Sequence, residues 1–136
     1  MAGQEMKVAV DTNVLVRAVV HDHPAQSEIA SRVLTEANLI AIAVPSLCEL
    51  VWVLRRGYKF SARDTAAAIR ALLNAPNVQL DRPAAEAGLA MLDAGGDFAD
   101  GVIAYEGRWL GGEMFVSFDA NVVELLKAQG VAARLL

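Results

Sequence analysis

The hydrophobic residues of this chain fall into short, nearly continuous runs that alternate with longer segments of mixed polarity. Runs such as "KVAV" and "LIAIAV" lack regular polar positions, a pattern typical of strands that are covered on both faces. The pattern predicts strands at Lys7–Val10, Leu39–Val44, Val78–Leu80, Glu113–Phe118 and Val131–Leu135.

The segments between these strands carry helix signals. Pro24 suits the first turn of a helix, and Gly57 and Gly130 stand where helices are expected to end. Because helices separate the strands, the pattern predicts an α/β fold with a central, mostly parallel sheet flanked by helices. The predicted helices are Asn13–Val20, Ala25–Glu36, Ser46–Arg55, Ser61–Asn74, Pro83–Leu92, Phe98–Leu110 and Ala120–Gln129.

Length and composition narrow the class of protein. With 136 residues, the chain is expected to form a single domain over residues 1–136, with a flexible N-terminal segment at residues 1–6. The longest uncharged run, Ala37–Cys48, falls short of the roughly 20 apolar residues that span a membrane. The single cysteine excludes an internal disulfide framework, which favours a cytoplasmic protein. The hydrophobic content of 55% favours an apolar interface, such as that of a homodimer.

Charge is unevenly distributed along the chain. The net charge of −4 argues against a protein that coats nucleic acid, but not against an enzyme that holds a cation in an acidic pocket. Basic residues are concentrated in "RRGYKFSAR", where Tyr58 and Phe60 lie between them. This segment could bind RNA phosphates and stack a base, or it could be a solvated tip between two helices. Its basic residues are Arg55, Arg56, Lys59 and Arg63.

Two smaller features favour a structural interpretation. His21 and His23 could chelate a metal together with Asp22, but "HDHP" is better explained as a polar turn. Trp52 and Trp109, each on an apolar helix, are expected to be packing residues.

Acidic residues recur where predicted strands end and helices begin. Asp11 ends the first strand, and Glu49 is predicted in the first turn of the helix after the second. Asp97 and Asp100 open the helix after "AGG", and Asp119 follows the fourth strand. In a parallel sheet all of these junctions lie at the carboxyl edge, where α/β proteins place their sites. The acids are therefore expected to lie on one edge.

Each acid taken singly has a simpler explanation. Ser46 and Glu49 fit the capping-box pattern, and Asp97 and Asp119 are good N-cap residues. Taken together, however, carboxylates about 4 Å apart repel by roughly 4 kcal/mol at an effective dielectric near 20. Such a group needs a cation or raised pKa values, and oxygen ligands without His or Cys suit Mg²⁺ or Mn²⁺. The set as a whole favours a metal site.

The segments "VAVDTNVLVRAV", "PSLCELVWVL", "GGDFADGVIAYEG" and "FVSFDANV" resemble, in the same order, the four acidic motifs of PIN-domain ribonucleases. In its compact length and its "DFAD" motif, the chain is most similar to the VapC toxins of toxin–antitoxin pairs. The resemblance implies a three-layer α/β/α domain whose catalytic, metal-binding acids are Asp11, Glu49, Asp100 and Asp119. It implies supporting roles for Asp97 as an auxiliary acid and for Thr12, Asn13 and Ser117 around the site.

The same resemblance implies a function. It is that of an endoribonuclease that uses one or two Mg²⁺ or Mn²⁺ ions to hydrolyse RNA phosphodiester bonds, leaving 5′-phosphate ends. The implied partner is a VapB-type antitoxin, bound in an apolar groove beside the second and third helices. Two alternatives stay open: a non-catalytic RNA-binding module on this fold, and a haloacid-dehalogenase-like phosphatase. The phosphatase is disfavoured because its chemistry needs a second aspartate where Asn13 stands.

Overall fold

The structure is a computed structural model that describes residues 6–136, and these residues form two compact units. The first unit extends to Asp81, and the second comprises Arg82–Leu136. The predicted flexible segment, residues 1–6, lies outside the described residues except for Met6, whose N–H donates to Asn38 Oδ1 at 2.8 Å. A single domain for the whole chain stays a prediction.

The first unit is built on a parallel sheet of three strands in the order β1-β2-β3. Its middle strand buries Ile40 completely, and Leu15, Leu47 and Ile69 from the surrounding helices are also fully buried. Helix α1 packs against both α2 and α3. The elements are β1 (Lys7–Ala9), α1 (Thr12–Val19), α2 (Pro24–Glu36), β2 (Leu39–Ala41), α3 (Val44–Trp52), α4 (Ala62–Asn74) and β3 (Val78–Gln79).

The second unit contains one parallel strand pair, β4 with β5. A cluster of apolar side chains fills its core, and α5 packs closely along α6. The elements are α5 (Arg82–Asp93), α6 (Phe98–Trp109), β4 (Phe115–Ser117), α7 (Ala120–Ala128) and β5 (Ala133–Leu135). The core residues are Met91, Val122, Val123, Leu126 and Ala133.

The predicted α/β class is confirmed, because helices alternate with parallel strands as expected for a three-layer α/β/α fold. Each predicted strand and helix is found at its predicted place, although the strands are shorter than expected. In the described part of the chain, no helix is both long and apolar enough to cross a membrane.

One helix boundary differs in a way that affects the site. Helix α3 begins at Val44 rather than Ser46, and its N-cap, Ala43, makes no side-chain cap hydrogen bond. Pro45 lies inside the first turn, where the missing N–H costs nothing because that donor has no partner within the helix. The prediction that Glu49 lies in the first turn of this helix is therefore wrong, and the alternative of a capping box formed by Ser46 and Glu49 is ruled out.

The packing role predicted for the tryptophans is also wrong. Trp52 and Trp109 are 61% and 76% exposed, whereas Leu50 and Val51, which precede Trp52 on α3, are buried. At the end of α6, the indole N–H of Trp109 donates to the Tyr105 hydroxyl.

Candidate functional site

The first acidic group lies at the start of α1. Asp11 is the N-cap of this helix, and its Oδ1 accepts the Thr12 N–H at 2.7 Å. The amide of Asn13 donates to the other carboxylate oxygen, Oδ2, at 3.3 Å. Asp11 therefore caps the helix, as the simpler interpretation predicts, while its side chain stays exposed.

Thr12 connects this group to α3. Its side chain is buried, and its hydroxyl donates to Glu49 Oε2 at 2.7 Å. Since α3 begins at Val44, Glu49 lies beyond the first turn and is oriented by Thr12 instead of by a helix cap. In the first unit the structure thus joins Asp11, Thr12 and Glu49 in one hydrogen-bonded group.

The second acidic group lies at two helix starts in the second unit. Asp97 caps α6, with its Oδ1 accepting the Ala99 N–H at 2.8 Å. Asp119 caps α7 by accepting the Asn121 and Val122 N–H groups at 3.0 and 3.3 Å. The Ser117 hydroxyl oxygen accepts the Asp119 N–H at 2.9 Å, so Ser117 holds the backbone from which this carboxylate projects.

The pKa of Asp100 is raised in the folded protein. It is half-buried in the first turn of α6. Burial is the main cause that raises the pKa of Asp100, and the nearby negative charges of Asp97 and Asp119 raise it further. The structure thus brings together these three predicted acids closely enough for each of the other two to disfavour ionisation of Asp100.

Two glycines allow α6 to lie close to α5. A Cβ on Gly101 would lie 2.3 Å from the Ala87 carbonyl oxygen, and a Cβ on Gly88 would lie 2.6 Å from the ring of Phe98. The ring of Phe98 is fully buried there. Because these residues flank Asp100 in sequence or contact its helix, they set where that carboxylate projects. Sequence analysis missed them, although an isolated glycine inside a helical pattern is a known signal of close packing.

The donor set fits a hard divalent cation. All of the acids offer carboxylate oxygens, and crowded negative charge around Asp100 is what such a cation would neutralise. Among residues 6–136, however, no three or more His, Cys, Asp or Glu side chains form a group that could hold a metal ion.

The predicted RNA-binding residues lie in the segment that joins α3 to α4 and in the first turn of α4. A π-helical turn, Val53–Gly57, continues α3 and carries Arg55 and Arg56, both exposed. Lys59 is exposed and adopts a left-handed conformation with φ of 59°, and Arg63 is exposed in the first turn of α4. We call residues 53–63 the basic tip.

The aromatic residues of the basic tip do not act as free stacking platforms. Tyr58 and Phe60 are both half-buried. The Tyr58 hydroxyl donates to Asp22 Oδ2 at 2.9 Å, and the Phe60 carbonyl accepts from Arg55 Nη1 at 2.9 Å. The contact between Asp22 and Tyr58 was not predicted, because 36 residues separate them.

The predicted polar turn at "HDHP" is confirmed. His23 Nδ1 accepts the Gln26 N–H at 3.2 Å and so caps α2. Asp22 pairs with Arg17 at 3.0 Å as well as with Tyr58. These contacts occupy Asp22 and one nitrogen of His23 in structural roles.

A cleft of about 770 Å³ opens beside β1 in the first unit. It is lined by β1, α1 and α2, with Ile29, Ala30 and Val33 on its apolar side and Asp11 and Asn13 at its polar end. This cleft borders α2, one of the two helices of the predicted groove, but α1 and β1 rather than α3 form its other walls.

The PIN domain family matches residues 8–125, and the chain belongs to this family. The match confirms the predicted fold class and the resemblance at the level of the family. PIN domains are generally nucleases. A search among curated proteins found no match.

Proposed function

We propose that this protein is a metal-dependent endoribonuclease and the toxin of a VapBC-type toxin–antitoxin pair. The observation that supports it best is the half-buried position of Asp100 beside Asp97 and Asp119 in a PIN domain, where burial raises the pKa of Asp100 and the two neighbouring charges raise it further. Packing several acids against one another is costly for the fold, and a bound divalent cation would turn that cost into binding energy.

The acids have different roles in this proposal. Asp11 and Asp100 are the main ligands of Mg²⁺ or Mn²⁺, while Glu49 and Asp119 bind a second ion or orient water. Asp97 adds negative charge beside Asp100. The bound cation would polarise the scissile phosphate and favour in-line attack by water, so that no protein nucleophile is needed.

Neighbouring groups hold the acids in place. Asn13 donates to Asp11, and Thr12 donates to Glu49, so these carboxylates are oriented before a cation arrives. Ser117 holds the backbone of Asp119. Such supporting hydrogen bonds typically account for a factor of about 10–100 in metal affinity or activity.

The basic tip is the proposed contact with RNA. Among the described residues, no salt bridge engages Arg56, Lys59 or Arg63, and all three are exposed. They are therefore available to phosphate groups. Phosphate contacts of this kind provide affinity without selecting a base sequence.

The partners follow from the VapC resemblance. We propose a VapB-type antitoxin whose apolar segment occupies the cleft beside β1 and places a basic side chain near Asp11. The lining of the cleft supports this, because apolar residues on α2 lead to an exposed carboxylate. We also propose a cytoplasmic homodimer, for which the exposed Trp52 and Trp109 provide apolar surface.

A time course on an end-labelled RNA pool tests the activity. We expect cleavage at few sites in the presence of Mg²⁺ or Mn²⁺, none in EDTA, and none with Asp100→Asn. Glu106→Gln removes the same charge from an exposed position on the same helix and is expected to cleave like the parent.

The outcomes separate the alternatives. RNA binding without cleavage under any metal condition would instead indicate a non-catalytic RNA-binding module. Release of phosphate from small monoesters with intact RNA would indicate a phosphatase. Parental cleavage by Asp100→Asn would contradict the proposed site.

A further inference from the structure

Asp22 connects two segments of the first unit that are far apart in sequence. It lies between α1 and α2, and each carboxylate oxygen has its own partner. Oδ1 accepts from Arg17 Nη1 at 3.0 Å, and Oδ2 accepts from the Tyr58 hydroxyl at 2.9 Å. Arg17 is itself fixed, because its Nε donates to Gln26 Oε1 at 2.8 Å. The contact with Arg17 on α1 thus fixes the Asp22 carboxylate, and this carboxylate in turn holds Tyr58 by accepting a hydrogen bond from its hydroxyl.

The basic tip has an irregular backbone that depends on such contacts. The Tyr58 N–H donates to the Val53 carbonyl at 3.1 Å, and the Phe60 N–H donates to the Leu54 carbonyl at 2.9 Å. Between them, Lys59 adopts the left-handed conformation, which is unfavourable for a residue with a side chain. π-helical turns and strained residues occur frequently at functional sites, where the surrounding structure compensates for their cost.

Some residues of the basic tip stabilise its conformation through hydrogen bonds, and other residues of the tip have exposed side chains. Arg55 donates one guanidinium N–H to the Phe60 carbonyl, and Tyr58 donates its hydroxyl to Asp22. Arg56, Lys59 and Arg63 stay exposed. Fixing a segment in its binding conformation raises affinity, because less ordering is needed when the ligand binds.

We infer that Asp22 is a positioning residue, which through Tyr58 holds the basic tip in a preformed arrangement for the phosphates of RNA. This inference rests on the proposed function for its ligand. It gives Asp22 no contact with RNA, and it makes Arg55 a brace of the tip.

The sign of one mutational effect separates positioning from simple charge. Asp22→Ala removes a negative charge near a basic surface, and by charge alone it should strengthen phosphate binding. Positioning predicts the opposite, because the released tip must be ordered again when RNA binds. Tyr58→Phe removes the hydroxyl alone and leaves the charge unchanged.

The experiment measures RNA binding separately from cleavage. The probe is a fluorescein-labelled single-stranded RNA, and its Kd is measured by fluorescence anisotropy in EDTA. We expect Asp22→Ala and Tyr58→Phe each to raise Kd about threefold to tenfold, with little further rise in the double variant, since both single variants already remove the hydrogen bond between Tyr58 and Asp22. Glu28→Ala, which also removes a charge and breaks an exposed pair with Arg32, is the matched control and should not weaken binding.

A second readout follows the tip itself. Amide hydrogen exchange of residues 53–60 should become faster in both variants and stay unchanged in Glu28→Ala. If the parent cleaves RNA, both variants should show a higher KM and an unchanged kcat, because the proposed metal-binding acids are not altered.

The results distinguish this inference from the proposed function. If the parent binds RNA but never cleaves it, the nuclease proposal fails while the binding comparison still decides the role of Asp22. If Asp22→Ala binds RNA as tightly as the parent or more tightly, or if exchange in the tip does not change, the positioning role is wrong. Failure of the parent to bind RNA would overturn it too.

Discussion

The two acidic groups of this PIN domain are held by different forces. In the first unit, neutral donors orient the carboxylates: Thr12 donates to Glu49, and Asn13 donates to Asp11. In the second unit, burial raises the pKa of Asp100, and the negative charges of Asp97 and Asp119 raise it further, so that its ionisation is less favourable. The first arrangement stabilises the protein without a cation, whereas the second carries a cost that only a proton or a cation removes.

This contrast indicates different roles for the two acidic groups. Hydrogen-bonded carboxylates keep one geometry whether or not a cation is bound, so the first group is suited to orienting a ligand. Crowded carboxylates gain most from a positive charge, so the second group is suited to providing affinity for it. Loss of the Thr12 donor in the first group should therefore destabilise the protein, whereas neutralising Asp100 in the second group should stabilise it when no cation is bound.

The largest effect on stability is expected from the close contact that places Asp100. Gly101→Ala puts a Cβ 2.3 Å from the Ala87 carbonyl oxygen, so α5 and α6 must separate. We expect a loss of about 1–3 kcal/mol in the free energy of unfolding, measured by urea denaturation.

Gly107 provides the matched control on the same helix. A Cβ there meets no atom within 4 Å, and alanine is a better helix former than glycine. We therefore expect Gly107→Ala to stabilise the protein by up to about 1 kcal/mol. Equal losses in the two variants would show that the contact with α5 is not what matters.

The next effect tests the hydrogen-bonded group. Thr12→Val keeps the shape of a buried side chain but removes the donor to Glu49. We expect a loss of about 0.5–1.5 kcal/mol by urea denaturation, and the loss should be smaller for Thr12→Ser, which retains the hydroxyl. If valine and serine cost the same, the hydroxyl contributes nothing.

A smaller loss of stability is expected from removing a neutral hydrogen-bond acceptor in the second unit, the Ser117 hydroxyl. Ser117→Ala removes the oxygen that accepts the Asp119 N–H in an exposed setting. The expected loss is about 0.5–1 kcal/mol in thermal or urea unfolding. Ser117→Thr keeps the acceptor and should restore the parental value; a threonine variant as weak as the alanine one would contradict this role.

The smallest effect should have the opposite sign. The folded state raises the pKa of Asp100, so its ionisation destabilises the fold once the pH exceeds the ordinary pKa of aspartate. In EDTA, Asp100→Asn should therefore raise Tm at neutral pH, and this gain should vanish as the pH falls below that ordinary pKa. A lower Tm at neutral pH, compared with Glu106→Gln, would mean that the carboxylate is not repelled.

Sequence patterns predicted the fold well where local signals decide it. Strand and helix order follows from hydrophobic spacing, and Asp11, Asp97 and Asp119 cap their helices as their positions suggest. The start of α3 was misjudged, because Ser46 and Glu49 offer a capping pattern that the helix does not use. Proline is tolerated in the first turn of a helix, so α3 can include Pro45 and begin before Ser46, where the capping pattern would place its start.

The contacts that sequence analysis missed are those made between distant residues. Thr12 with Glu49 and Asp22 with Tyr58 are each separated by more than thirty residues, and no local pattern encodes such a pair. The exposure of Trp109 was missed for a related reason, because an apolar helix does not reveal which of its faces is covered.

The central proposal is that carboxylates of this PIN domain bind a divalent cation, and Mn²⁺ binding measured by electron paramagnetic resonance tests it most directly. We expect the parent and Glu106→Gln to bind Mn²⁺ equally, while Asp11→Asn and Asp100→Asn each lose at least about 10-fold in affinity. Parental affinity in either aspartate variant, or no binding by the parent, would contradict the proposal.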